Sequence, residues 1–249
     1  MKGQRRIAAI LDQADALCQK RRRFLQMLDS LSQSIFMDMF GDPAINPKGW
    51  RVGTIEDLVS SPKRDIRCGP FGTRLKVAEI VNDGIPLLGI ETAVRNEFNS
   101  GVKKFVSPQK AKELGAFDAI PGDVLVTRMG TIGRSCGVPF DFPEARFSYH
   151  LFRVRPAPEK CLPEFLSTTI SRSGIFLRQL EDQAHGAIMD GLSTQNLKEV
   201  RFPIPPLRVQ EEFVERIHSI DKMKRRMEGK LGPRVLFESL QHRAFNGGL

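Results

Sequence analysis

Apolar residues recur in steps of three and four along "QRRIAAILDQADALCQKRRRFLQMLDSLSQSIFMDM", residues 4–39. From Ile7 the row runs through Leu11, Ala14, Cys18, Arg21, Leu25, Leu28, Ser32, Ile35 and Met39. A second row, Ile10, Leu17, Phe24 and Leu31, lies beside it. The spacing predicts a helix with a wide, nearly heptad stripe. About 35 residues make a rod of about 50 Å at 1.5 Å per residue, and such a rod needs a partner helix along its length. Gly41 and Pro43 supply the stop.

The pattern returns after "PIPPL", over residues 210–245. Phe213, Ile217, Ile220, Met223 (or Lys224), Met227 and Leu231 keep the stripe, Gly232-Pro233 should kink or break it, and Leu236, Leu240 and Phe245 resume it. The two arms are weakly alike. Gln4 matches Gln210 and Asp15 matches Asp221; after a short insertion near 229–233, Ser30-Leu31 matches Ser239-Leu240. We expect an antiparallel pair whose contacts include Ile7, Leu11, Leu25, Leu28, Ile35, Phe213, Ile217 and Ile220. Two unrelated surface helices are the plainer alternative.

Between the arms the period changes. "GIPLLGIETA" (84–93), "GDVLVTRMG" (122–130), "IGRSCGVPF" (132–140) and "YHLFRVRP" (149–156) read as short strands bounded by Gly and Pro. "RVGTIEDLV" (51–59) reads as a strand or helical turn. Residues 162–184 look helical with an interruption at Gly174, and "STQNLKEV" (193–200) looks like a short helix capped by Ser193. The class is therefore α+β: one domain with an irregular mixed sheet, flanked by two long helices that form an antiparallel coiled coil. The expected boundaries are residues 1–41 for the first helix, 42–206 for the domain and 207–249 for the second helix.

Charge narrows the partner. The 249 residues carry 38 Lys and Arg against 29 Asp and Glu, a net +9. Such an excess favours polyanions, nucleic acid or an anionic surface. It is evenly spread: seven basic against four acidic in residues 1–40, 22 against 19 in 41–203, nine against six in 204–249. Any nucleic-acid surface must therefore be assembled by folding. Two loops are candidates. "SPKRDIRCGPFGTRLK" (61–76) sets Lys63, Arg64, Arg67, Arg74 and Lys76 against one Asp65, with Phe71 between glycines. "TRMGTIGRS" (127–135) puts Arg128 and Arg134 on either side of Gly130-Thr131-Ile132-Gly133, where amides, the Thr131 hydroxyl and two guanidinium groups suit a phosphate. A hairpin turn between buried strands explains the second loop equally well.

Other chemistry is weakly represented. Cys18, Cys68, Cys136 and Cys161 form no CxxC pair and the four histidines are scattered, so neither a zinc site nor a disulfide framework is expected, and free thiols suit a reducing cytoplasm. No apolar run reaches membrane-span length. Neither GxxxxGK[ST] nor a strand-to-helix GxGxxG occurs. "NPKG" (46–49) is similar to the N-P-P-[FY] motif of amino-methyltransferases, but it lacks the second proline and the aromatic. His185 and Asp190 in "AHGAIMDGLS" (184–193) have no nucleophile beside them and read as turn chemistry. No cofactor or catalytic residue is expected.

Segments spread over nearly the whole chain resemble the specificity (S) subunit of type I restriction-modification enzymes. They are, in order, "QRRIAAILDQADAL", "LDSLSQSIFMDMFGDP", "GWRVGTIEDLV", "GPFGTRLK", "GIPLLGIETA", "PGDVLVTRMGTIG", "SYHLFRVRP", "LSTQNLKEVRFPIPPLRVQEEFV" and "SLQHRAF". The usual S subunit has two target-recognition domains, each followed by a spacer helix, whereas this chain has one and resembles a half S subunit or a truncated one that lacks the first domain. The resemblance implies a non-catalytic protein that reads one half of a split site on double-stranded DNA. It implies docking to modification (methyltransferase) subunits and a restriction subunit, and completion of the site by a second S-like chain or a homodimer. A protein-binding coiled-coil scaffold and an unusual DNA methyltransferase are the other readings.

Overall fold

The computed structural model describes residues 2–185 and 191–228. The chain divides into two compact units. One takes in the helical arms, residues 2–39 and 215–228 of those described; the other spans Phe40–Val214.

Helix α1 runs Lys2–Phe40. It carries the predicted stripe: Leu28 and Ser32 are buried, and Leu11, Ala14, Cys18, Leu25, Ile35 and Met39 are half-buried. The side chain of Ile7 lies outside those described. The second row behaves otherwise, with Leu17 57% exposed and Leu31 45% exposed. A single neighbouring helix covers a narrow seam, so the wide stripe splits into a covered row and an open one. Gly41 ends the helix in the left-handed region, at φ +74°, where a Cβ would also collide with Pro47.

The second arm, which becomes α7 below, spans Leu207–Glu228; the predicted break at Gly232-Pro233 lies outside the described residues. Phe213 and Ile220 are buried and Ile217 is half-buried. Of the two candidates for the next stripe position, Lys224 takes it and Met223 is exposed. Lys224 buries its stem and donates to Asp29 Oδ1 at 2.6 Å. The Phe40 and Phe213 rings meet edge-on at 5.1 Å. Going back along α1 from Phe40 to Asp29 thus matches going forward from Phe213 to Lys224, so the helices run antiparallel.

Among the described residues, the other unit holds eleven short strands. In chain order they are β1 Arg51–Gly53, β2 Ile66–Cys68, β3 Ile80–Val81, β4 Ile85–Leu88, β5 Phe105–Val106, β6 Asp118–Ala119, β7 Val124–Thr127, β8 Ser135–Gly137, β9 Ala145–Phe147, β10 Leu151–Val154 and β11 Phe202–Ile204. The intervening helices are α2 Pro62–Asp65, α3 Pro108–Glu113, α4 Pro163–Arg172, α5 Gly174–His185 and α6 Thr194–Glu199, before α7. Ser193 caps α6 as its spacing predicts, its side chain accepting from Asn196 N at 3.1 Å. Three sheets form: β1-β11, β2-β10-β7-β8, and β3-β5-β4-β9-β6. The larger two share one core, in which Leu88 and Phe147 meet Leu125, Cys136 and Leu151. All pairs are antiparallel except β4 with β9.

Residues 61–76 correct one expectation. Their sequence reads as a single basic loop, but they form a helical turn, a strand and a 3-10 turn. Arg67 hides the strand: Ile66 and Cys68 alone make too short an alternation to show a period of two.

Candidate nucleic-acid interface

The register of the four-stranded sheet decides which loops meet. Cys68, at the end of β2, lies opposite Phe152. Leu151, at the start of β10, lies opposite Thr127 at the end of β7, and Val126 lies opposite Ser135 at the start of β8. Three segments therefore leave the same edge of the sheet: 69–76 after β2, 128–134 between β7 and β8, and 148–150 before β10. The opposite edge carries Asp65 before β2, Asp123 before β7 and Arg155 after β10. The two edges are about 10 Å apart, the length of three strand residues.

This geometry divides the predicted DNA contacts. Phe71, Arg74, Lys76, Thr131 and Arg134 are exposed and belong to the first edge. The Arg74 guanidinium sits 5.7 Å from the Phe117 ring centroid. The Thr127 hydroxyl donates to Thr131 O and accepts from Arg134 N at 3.0 Å. That ties the 128–134 turn closed and leaves the Thr131 and Arg134 side chains outside. Lys63 and Arg64 are exposed as well, but on α2 at the opposite edge. Arg64 Nε already donates to Asp65 at 3.1 Å. Arg67 lies between the edges, half-buried, with its Nε on Arg64 O at 3.3 Å.

Arg128 departs from its expected role. By sequence it is the natural partner of Arg134 in a phosphate grip, yet it is 8% exposed. Its Nε donates to Leu192 O at 2.9 Å and its Nη1 to Tyr149 O at 3.3 Å. The guanidinium lies 4.8 Å from the Phe71 ring centroid and 5.8 Å from that of Phe152. Its backbone joins the same neighbours, N to His150 O at 3.0 Å and O from Leu192 N at 3.1 Å. A guanidinium this well committed is a strut rather than an outward grip.

Beside it stands a feature that sequence reasoning misses. Tyr149, the chain's one tyrosine, is exposed, and its ring lies 3.8 Å from that of His150. Both residues fall in a stretch whose pattern reads as strand, but the strand starts at Leu151. Burial holds the imidazole of His150 below its ordinary pKa, with Lys104 and Arg128 adding to the effect and Glu91 opposing it. Burial raises the Cys68 thiol, partly offset by Arg128. In the 184–193 segment, Asp190 and the side chain of His185 lie outside the described residues.

The opposite edge is a closed ion network. Arg155 grips Asp123 through Nε and Nη2 at 2.7 and 2.8 Å, and Asp118 at 2.9 Å. Arg153 reaches Asp118 Oδ1 at 2.5 Å and Arg64 O at 2.5 Å. Burial pushes the Asp118 carboxyl up, but the hydrogen bond from Arg155 and the charges of Arg153, Arg155 and Arg146 outweigh it and hold its pKa below the usual range.

The model of the type I restriction modification DNA specificity domain matches residues 47–231, more than half of the chain. The chain belongs to this family. The matched span of the specificity domain takes in the whole edge described above. Solved structures share the fold. An S subunit of a type I restriction-modification system from M. genitalium is 12% identical, with TM-score 0.64, covering 98% of this chain and 61% of the other. The HsdS subunit from Thermoanaerobacter tengcongensis is 19% identical, with TM-score 0.57, covering 100% and 59%. A chain from a structure describing complex assembly and conformational transition of the type I R-M system is 18% identical, with TM-score 0.61, covering 98% and 58%. This chain thus spans about three fifths of each of these structures. No curated protein matches it. Among the described residues, no helix is long and apolar enough to cross a membrane.

Proposed function

We propose that this chain is the DNA sequence-specificity subunit of a type I restriction-modification system, itself without catalytic activity. The observation that carries the reading is the family match over residues 47–231, a span that contains the sheet edge where Phe71, Arg74, Lys76, Arg134 and Tyr149 lie exposed. Arg74, Lys76, Thr131 and Arg134 contact phosphates there, and Phe71 and Tyr149 stand where base edges would pass. Contacts to phosphate hold register while contacts in the groove read sequence, so an edge that offers both kinds suits specific binding. Lys63, Arg64 and Arg67 add weaker attraction to the flanking backbone.

The recognition domain spans residues 42–206 and reads one half of a split site. The arms at 1–41 and 207–249, helical over the described Lys2–Phe40 and Leu207–Glu228, act as spacer and as the dock for modification and restriction subunits. One recognition domain reads one half-site, so a second S-like chain or a second copy of this one supplies the other. A closed two-fold pair presents the same surface twice and would read an inverted repeat with a fixed gap.

Sequencing of methylated bases in cells that carry this chain with its modification subunit tests the reading. A split palindrome supports a homodimer, and a split asymmetric motif supports pairing with a different S chain. Absence of any methylated motif, or saturable S-adenosylmethionine binding by the purified chain, would reject the specificity role.

A further inference from the structure

We propose that Arg128 is a positioning residue for sequence discrimination: it fixes Phe71 and Tyr149 at the sheet edge without touching DNA. The inference rests on the reading of that edge as the DNA interface.

The Arg128 guanidinium joins three segments. It donates to Tyr149 O and Leu192 O, carbonyls of two of them, and it lies over the Phe71 ring of the third. None of these partners lies in the 128–134 turn. Phe71 is 57% exposed and Tyr149 42% exposed; the guanidinium covers one side of the Phe71 ring, whereas Tyr149 is held through its backbone carbonyl and its ring lies beside His150. Gly191 lets the segment that carries Leu192 come close: it sits at φ +145°, and a Cβ there would fall 2.8 Å from Met129 Cγ and 3.3 Å from Arg128 Nη2. The site is therefore shaped around this arginine.

The kind of partner matters as much as the number. Carbonyl oxygens and aromatic faces order a guanidinium but leave its charge, and among the described residues Arg128 is in no ion pair. Lysine has the charge and three donors but no planar fork, so it cannot bond both carbonyls and stack on Phe71 in the same geometry. Loosening the clasp frees the 69–76 and 148–150 segments relative to each other. Phosphate contacts by flexible side chains tolerate that freedom; contacts to base edges depend on fixed geometry.

The test uses the full chain, the variants Arg128→Lys and Arg128→Met, and selection from randomised DNA duplexes followed by sequencing. Wild type should enrich one motif. Both variants should bind the unselected pool within about twofold of wild type, with an unchanged salt slope, while enrichment of the motif falls about tenfold. If Arg128→Met alone loses affinity and its salt slope falls by about one, Arg128 is a phosphate contact and the proposal is overturned. Retention of the full motif by both variants overturns it too. Should the Arg128 variants fail to fold, Phe71→Leu at an exposed position gives the decision: a folded Phe71→Leu chain with the unrelaxed motif counts against the clasp. If wild type itself shows neither motif nor salt-dependent binding, the underlying assignment of the edge to DNA has failed.

Discussion

The four-stranded sheet holds two buried arginines, Arg153 within β10 and Arg128 at the edge beyond β7, and it uses them differently. Arg153 is met by Asp118, within a network that Arg155 and Asp123 complete. Its charge is cancelled where it arises, and the network ties β6, β7 and β10 together. Arg128 is met by two carbonyls and two aromatic rings. These partners hold it without neutralising it. Arg74, Lys76 and Arg134 then add exposed positive charge around it. Acidic partners close an arginine into an ion network; neutral partners order it without a counter-ion. One small sheet is thus braced at one end and electropositive at the other.

That contrast can be broken experimentally, most severely at the braced end. Arg155→Met leaves the Asp123 carboxylate, whose side chain is 0% exposed, without its counter-ion. The expected loss is about 3–5 kcal/mol of unfolding free energy. Denaturant titration checks it, and a loss under about 1 kcal/mol would show that the network is not a brace.

Asp118→Asn should cost less, about 1–2 kcal/mol at neutral pH. It should also change the acid response. A carboxyl whose folded pKa lies below its unfolded value stabilises the fold above the unfolded pKa of about 3.9, and that stability disappears as pH falls through the folded pKa. Wild type should therefore lose stability below about pH 4 more steeply than the variant. Parallel melting curves across pH 2–5 would contradict this.

At the other edge the expected signature is reversed. Arg74→Ala combined with Lys76→Ala should leave unfolding within about 0.5 kcal/mol of wild type. DNA affinity should fall, and the salt slope should drop by about two, close to 0.9 for each phosphate no longer neutralised. An unchanged slope would remove segment 69–76 from the interface. The smallest effect belongs to Lys63→Ala, exposed at the braced edge: a uniform weakening over all sequences, smaller than that of Arg74→Ala alone. If the two are equal, both edges face DNA and they differ in stability alone.

Much of the chain could be read from periodicity. The stripe from Leu11 to Met39 is the covered face of α1, because a helix of that length must shield one row of side chains. Ser193 was legible as a cap because capping chemistry is local. Harder to read was the open row at Leu17, Phe24 and Leu31: how much of a helix is covered depends on how many neighbours it has, and sequence does not count neighbours. The choice of Lys224 over Met223 turned on Asp29, a residue far away in sequence. The segment 61–76 misled because a three-residue strand has no period to detect.

The class of the molecule follows from local sequence: helical arms around an α+β domain, a basic balance, and loops rich in Gly, Arg and Lys. Those properties rest on local steric and hydrophobic preferences, which are written residue by residue. Which arginines face outward depends on the folded arrangement. Arg128 and Arg134 flank the same turn and look equivalent in sequence, but one is claimed by carbonyls at 149 and 192 and the other is left in solvent. Lys63 and Lys76 lie thirteen positions apart in one basic run and end at opposite edges, because strand pairing at β2 places residues before and after it on either side of the sheet. Hydrogen-bond partners distant in sequence set a side chain's burial and charge environment, and that is information no local pattern contains.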